Sequence, residues 1–83
     1  MPRFDRRSNF RRRYRKLGAA DRSAVDRALR WLAANPRDPR LRTHKLEAGQ
    51  RWACSYAYDG RFVFTWKADV ITLLDVGTHE DVY

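Results

Sequence analysis

Eighty-three residues, 43% hydrophobic and 13% aromatic, are enough for one small hydrophobic core, so a single domain spanning 1–83 is expected. One cysteine, Cys54, excludes an internal disulfide and a cysteine-based metal cluster, and no apolar run reaches the ~18 residues of a membrane span, so a reducing cytoplasm is expected, with no secretory signal and no membrane partner. The net charge of +8 is uneven, since residues 1–45 hold fifteen Arg/Lys against four Asp/Glu and residues 46–83 hold three against six, a distribution suited to a polyanion or an acidic partner.

Taken in order, the charged stretch Met1 to Arg7 predicts a short edge strand, because charges blunt an edge against unwanted pairing. Ser8 offers an N-cap for a helix running to about Leu17, with Phe10, Tyr14 and Leu17 on one stripe and Arg11, Arg12, Arg13, Arg15 and Lys16 around it. Gly18 is a natural stop. A second helix from about Ala20 to Ala34 carries Val25, Ala28, Leu29, Leu32 and Ala33 on its apolar face and Trp31 at the margin; Asn35-Pro36 ends it. The short link between the two predicts an antiparallel helical hairpin. Arg37-Asp38-Pro39-Arg40 reads as loop.

The pattern then changes to strands. Asp59-Gly60 between β-forming runs predicts a two-residue hairpin turn. That turn would set Tyr58 opposite Arg61, Tyr56 opposite Val63, Cys54 opposite Thr65 and Trp52 opposite Lys67. Phe62, Phe64 and Trp66 then face the core, with Ala53, Ser55 and Ala57 across from them. The other face would carry Trp52, Tyr56, Tyr58 and Arg61 as an aromatic surface with one cation, and Cys54 as a half-buried sheet residue. Ala68-Asp69 predicts another tight turn, which sets Val76 across from Arg61 and Leu73 across from Phe64. The apolar run from Val70 reads as a central strand buried on both faces. Its polar end, Gly77 to His79, should then lie beside Arg61 and Tyr58. The expected fold is α+β: two antiparallel N-terminal helices on one face of a three- to four-stranded antiparallel sheet.

His44 and His79 are the two side chains that titrate near neutrality. A His, an Arg and a Tyr around one cleft suit RNA cleavage by the substrate's own 2′-hydroxyl, with Arg61 on the phosphate and Trp52, Tyr56 and Tyr58 stacking bases. His79 can equally close a turn, His44 can be structural, and Tyr83 can plug the first helix. No metal-ligand spacing, phosphate loop or other cofactor motif is present, so no cofactor is expected.

Several segments together resemble the RelE/ParE superfamily of bacterial toxins, the toxin halves of type II toxin–antitoxin modules. They are the helical pair ending at Asn35-Pro36, His44-Lys45-Leu46, Gly60-Arg61-Phe62-Val63-Phe64, and Val76-Gly77-Thr78-His79-Glu80-Asp81-Val82-Tyr83. The terminal Gly-Thr-His-x-x-x-aromatic signature is most similar to the RelE/YafQ branch. The resemblance implies a microbial-ribonuclease-like fold and metal-independent cleavage of mRNA in the ribosomal A site. In that scheme His79 is a general acid, Arg61 a phosphate stabiliser, Tyr83 an orienting residue and His44 a general base. Ala53 and Ser55 stand where the RelE branch has lysines, with Arg51 the nearest cation. The expected RNA-binding set is Arg11, Arg12, Arg13, Lys45, Arg51, Tyr56 and Tyr58. The implied partners are the ribosome with its mRNA and a cognate antitoxin whose acidic segment wraps the toxin, with DNA reached only through that complex. Two other functions fit the same fold: a ParE-like inhibitor of DNA gyrase, and a binding module that represses its own operon together with the antitoxin.

Overall fold

A computed structural model describes residues 2–46, 49–78 and 82. The expected edge strand is present as β1 (Arg3–Arg6), followed by helices α1 (Ser8–Lys16) and α2 (Ala19–Ala34). A 3-10 turn (Pro39–Leu41) leads to β2 (His44–Lys45), β3 (Arg51–Ser55), β4 (Gly60–Lys67) and β5 (Val70–Thr78). The sheet has five strands in the order β1-β5-β4-β3-β2. It is antiparallel except at β1, which runs parallel to β5 with Phe4 opposite Ile71. It therefore exceeds the three or four antiparallel strands expected, because both short charged segments, 3–6 and 44–45, take edge positions.

Helix packing follows the apolar stripes. Phe10 from α1 and Val25, Ala28, Leu29 and Leu32 from α2 are buried against Phe62, Phe64, Ile71, Leu73 and Val76 of the sheet. Phe10 and Tyr14 stack with centroids 6.2 Å apart, and the Tyr14 hydroxyl donates to Asp26 at 2.7 Å, joining the two helices. The termini differ from expectation. Arg7, in extended conformation, is the N-cap of α1 without a side-chain cap, and Ser8 is already helical. Gly18 is extended too (φ −67°) and serves as the N-cap of α2, so its left-handed freedom is not used. α1 instead closes through the Leu17 N–H, which donates to the Tyr14 carbonyl at 3.1 Å.

The β3–β4 register is the main correction. The connection is the four-residue segment Tyr56 to Asp59, closed by Tyr56 N–H to Gly60 O (3.1 Å) and Gly60 N–H to Ala57 O (3.2 Å). Ser55 pairs with Arg61, Cys54 with Phe62, Ala53 with Val63 and Trp52 with Phe64. The three-residue slip turns β3 over: Cys54 becomes fully buried and Tyr56 joins the core at 9% exposure. Trp52 packs against that core and meets Trp66 edge-on at 5.6 Å. The physical reason is burial. The expected register would face Ala53, Ser55 and Ala57 inward, whereas the observed one faces Trp52, Cys54 and Tyr56 inward. Each large side chain so moved contributes about 2 kcal/mol, more than a tight turn can offset. The aromatic surface of Trp52, Tyr56 and Tyr58 therefore does not exist; only Tyr58, fully exposed, remains outside.

The Ala68-Asp69 turn is as expected, and Phe64 pairs with Leu73. A bulge at Leu74 then advances β5 by one residue, so Val76 faces Phe62, and Gly77 faces Arg61. β5 is central, yet its burial alternates, with Ile71, Leu73 and Val76 inside and Val70, Thr72 and Leu74 partly exposed. Its continuous apolar run reflects β-propensity and not cover on both faces.

Candidate nucleic-acid interface

The carboxyl end of β5 brings together the features that the sequence scattered. Gly77 and Thr78 lie across from Arg61 and Gly60 on β4, and a cavity of about 600 Å³ opens beside Arg61. Three cations line it, Arg40, Arg42 and Arg61, together with Trp31, Tyr56 and Tyr58. Arg61 is held by its own hairpin: its Nη1 donates to the carbonyls of Gly60 (2.9 Å), Tyr58 (3.2 Å) and Ala57 (3.3 Å). One nitrogen is thus spent on orienting the guanidinium, and its remaining donors can meet an anion.

Gly60 is required here for closeness and not for a left-handed turn. A Cβ on it would stand 2.3 Å from Cζ of Tyr56. The buried Tyr56 ring therefore forms the floor beneath the loop whose carbonyls hold Arg61.

Arg42 enters through strain. It caps the 3-10 turn in the left-handed region (φ 52°), which L-residues with a Cβ rarely adopt. That backbone sets its carbonyl 3.0 Å from Nδ1 of His44. A carbonyl only accepts, so Nδ1 carries the proton, and in the neutral ring Nε2 is the basic nitrogen. His44 pairs with Ala53, and Ala53 with Val63, one two-residue step along the sheet from the Ser55–Arg61–Gly77 row. His44 and Arg61 thus share the sheet face away from the helices, with Cα atoms about 12 Å apart from strand spacing and rise. Arg51, opposite Thr65, shares that face two further rows away. Lys45, opposite Trp52, lies on the other face and does not join the set.

Helix α1 approaches the same strand end from behind. Arg13 pairs with Asp75 at 3.2 Å, and Asn9 donates to the Leu74 carbonyl at 3.4 Å. Arg12, which bonds to Asn9, and Lys16 line a second hollow with Val76 and Gly77, of about 440 Å³. Arg11 points elsewhere, into a groove of about 300 Å³ between the helices shared with Arg6 and Arg15. At that groove the hydrogen bond to Asp26 holds the Tyr14 phenol above its ordinary range. Gly77 is thus flanked by α1 cations on one side and Arg61 on the other. His79 and Tyr83 lie outside the described residues.

Trp31, Arg40 and Arg42 are the site residues that sequence reading passed over. The available signal was Asp38-Pro39, a side-chain cap with Pro at the first position of a turn, together with a Trp at the edge of an apolar helix face. No helix among the described residues is long and apolar enough to cross a membrane.

No family model and no curated protein sequence matches the chain. Solved structures do. YafQ from E. coli strain BL21(DE3) superposes with a TM-score of 0.80 at 13% identity, over 100% of this chain and 99% of that one. The YoeB/ParE toxin from Agrobacterium tumefaciens gives 0.77 at 12% identity, covering 95% and 99%. The intact E. coli RelBE toxin–antitoxin complex gives 0.76 at 20% identity, covering 94% and 96%. The helical pair on a five-stranded, mostly antiparallel sheet is thus the fold that these RelE, YafQ and YoeB/ParE toxin structures share.

Proposed function

We propose that this chain is the toxin of a type II toxin–antitoxin pair and cuts mRNA on the ribosome by attack of the substrate's 2′-hydroxyl. The observation that carries the reading is the anchored Arg61 opposite Gly77, opening onto a cavity with two further arginines. A base removes the 2′-hydroxyl proton, the oxygen attacks the adjacent phosphorus, and the 5′-oxygen leaves with a proton from an acid. The products are a 2′,3′-cyclic phosphate and a free 5′-hydroxyl. Arg61 is assigned to the developing charge on the phosphate. His44, whose Nε2 is the basic nitrogen, is assigned to the first proton, His79 to the second, and Tyr83 to orienting the nucleotide. The α1 cations contact ribosomal RNA and, in the resting pair, an acidic antitoxin segment.

Primer extension on cellular mRNA after brief induction tests the proposal. The parent should cut within translated regions, and Arg61→Ala should lower cleavage about 100-fold or more. Inhibition of DNA gyrase supercoiling with mRNA left intact would overturn it.

A further inference from the structure

The cavity beside Arg61 has a wall that phosphate chemistry does not explain. Arg40 Cζ lies over the Trp31 indole, 4.0 Å from the ring centroid, in cation–π contact. The donor edge of Arg40 is already occupied: Nε donates to Asp38 Oδ1 (3.1 Å) and Nη2 to Asp38 Oδ2 (2.7 Å). Asp38 in turn accepts from the Arg40 backbone N–H at 3.0 Å, and Pro39 fixes the turn between them. A guanidinium whose fork and charge are both taken by a carboxylate is a poor phosphate clamp. What it retains is a rigid planar face. Trp31 and Arg40 line the same cavity as Arg42 and Arg61, and its volume of about 600 Å³ suits a nucleotide-sized ligand.

We propose that the Trp31–Arg40 stack is a platform for one nucleobase of the bound RNA, with Arg42 and Arg61 facing that nucleotide's phosphate. The inference rests on RNA being the ligand, and it replaces the aromatic surface that the β3–β4 register removed. Asp38 acts as a positioning residue: its two bonds to Arg40 hold the guanidinium over the indole, so ordering is complete before a base arrives. Stacking reads no hydrogen-bond pattern, so the platform tolerates any base.

The test uses the full chain and a 5′-labelled 2′-O-methyl trinucleotide, which cannot be cleaved, alongside versions carrying one abasic position. Fluorescence anisotropy gives the affinities. The wild type should bind one abasic version about 10-fold or more weakly than the intact trinucleotide. Arg40→Gln and Trp31→Phe should each lower affinity for the intact ligand and erase much of that abasic difference. Asp38→Asn should do the same to a smaller degree. Arg40 is exposed, so Arg40→Gln tests the proposal even where Trp31 variants fold poorly. If Arg40→Gln keeps the full abasic difference, or an acidic peptide binds where the trinucleotide does not, the platform is refuted. Unchanged trinucleotide binding in Arg40→Gln with mRNA still cut in cells would remove the platform and leave the nuclease. Loss of the abasic difference in Arg40→Gln with no mRNA cleavage by the parent chain would remove the nuclease and leave the platform.

Discussion

Replacing Gly60 with Ala probes the contact on which the cavity loop depends. A methyl group there would lie 2.3 Å from Cζ and 2.4 Å from Cε1 of Tyr56, more than 1 Å inside ordinary contact. The ring belongs to the core and is only 9% exposed. Expelling it would forfeit roughly 4–6 kcal/mol of burial, at about 25 cal/mol per Å² over ~150–250 Å². Local displacement is cheaper, at about 2–3 kcal/mol for an overpacked site. Urea unfolding followed by tryptophan fluorescence should therefore show Gly60→Ala destabilised by about that amount with an unchanged m-value. In a chain of this size the corresponding drop in Tm is about 10–20 °C. The informative comparison is the same substitution in a Tyr56→Leu background, where the clash is gone and the residual cost should fall below ~1 kcal/mol. A two-residue Asp-Gly turn would also penalise Gly60→Ala, through its need for positive φ, but the penalty would not depend on residue 56. Equal costs in the two backgrounds would refute the ring contact and with it the β3–β4 register.

Three other outcomes are expected. Burial pushes the Cys54 thiol from 9.0 up to about 11; its folded value exceeds its unfolded one, so its contribution is complete below pH ~9 and is lost as pH rises through ~11, by about 2–3 kcal/mol. Urea midpoints of wild type and Cys54→Ala should converge over that window, and a pH-independent gap would contradict the burial. Arg42→Gly and Ala68→Gly both relieve left-handed residues (φ 52° and 51°) and should each gain about 0.5–1 kcal/mol in thermal unfolding, with only Arg42→Gly weakening trinucleotide binding. Single replacements of Arg12 or Lys16 by Ala should each reduce the slope of log affinity against log salt by about 1 in RNA titrations, and unchanged slopes would place RNA elsewhere.

The helices, the edge strand and the Ala68-Asp69 turn were legible because each rests on local chemistry: a stripe of apolar residues, a run of charges, a two-residue link. The site was legible in part. Placing the end of β5 beside Arg61 followed from turn lengths, and the Leu74 bulge changed it by only one residue. The Asp59-Gly60 turn misled because a local signal met a stronger distant one, the packing of Trp52, Cys54 and Tyr56 into the common core. Tyr56 thereby changed from a proposed base-stacking residue to the floor of the loop that orients Arg61. Arg40 and Trp31, nine positions apart, were invisible as a pair because only the return of the chain after Asn35-Pro36 sets one over the other. Their shared partner, Asp38, looked like an ordinary loop carboxylate.

The parallel pairing of β1 with β5 has a consequence for how the chain comes into being. Arg3 finds its neighbour Val70 across nearly the whole sequence, and α1 rests on that same last strand through Arg13 and Asp75. Synthesis delivers β1 and α1 first and their common support last, so the amino-terminal third waits without a surface on which to settle. Such distant closure slows folding. It also means that a product halted before Val70 would display a highly basic helix with no Asp75 beside it. Assembly of the α1 hollow and of the Arg61–Gly77 pair therefore waits on the emergence of β5.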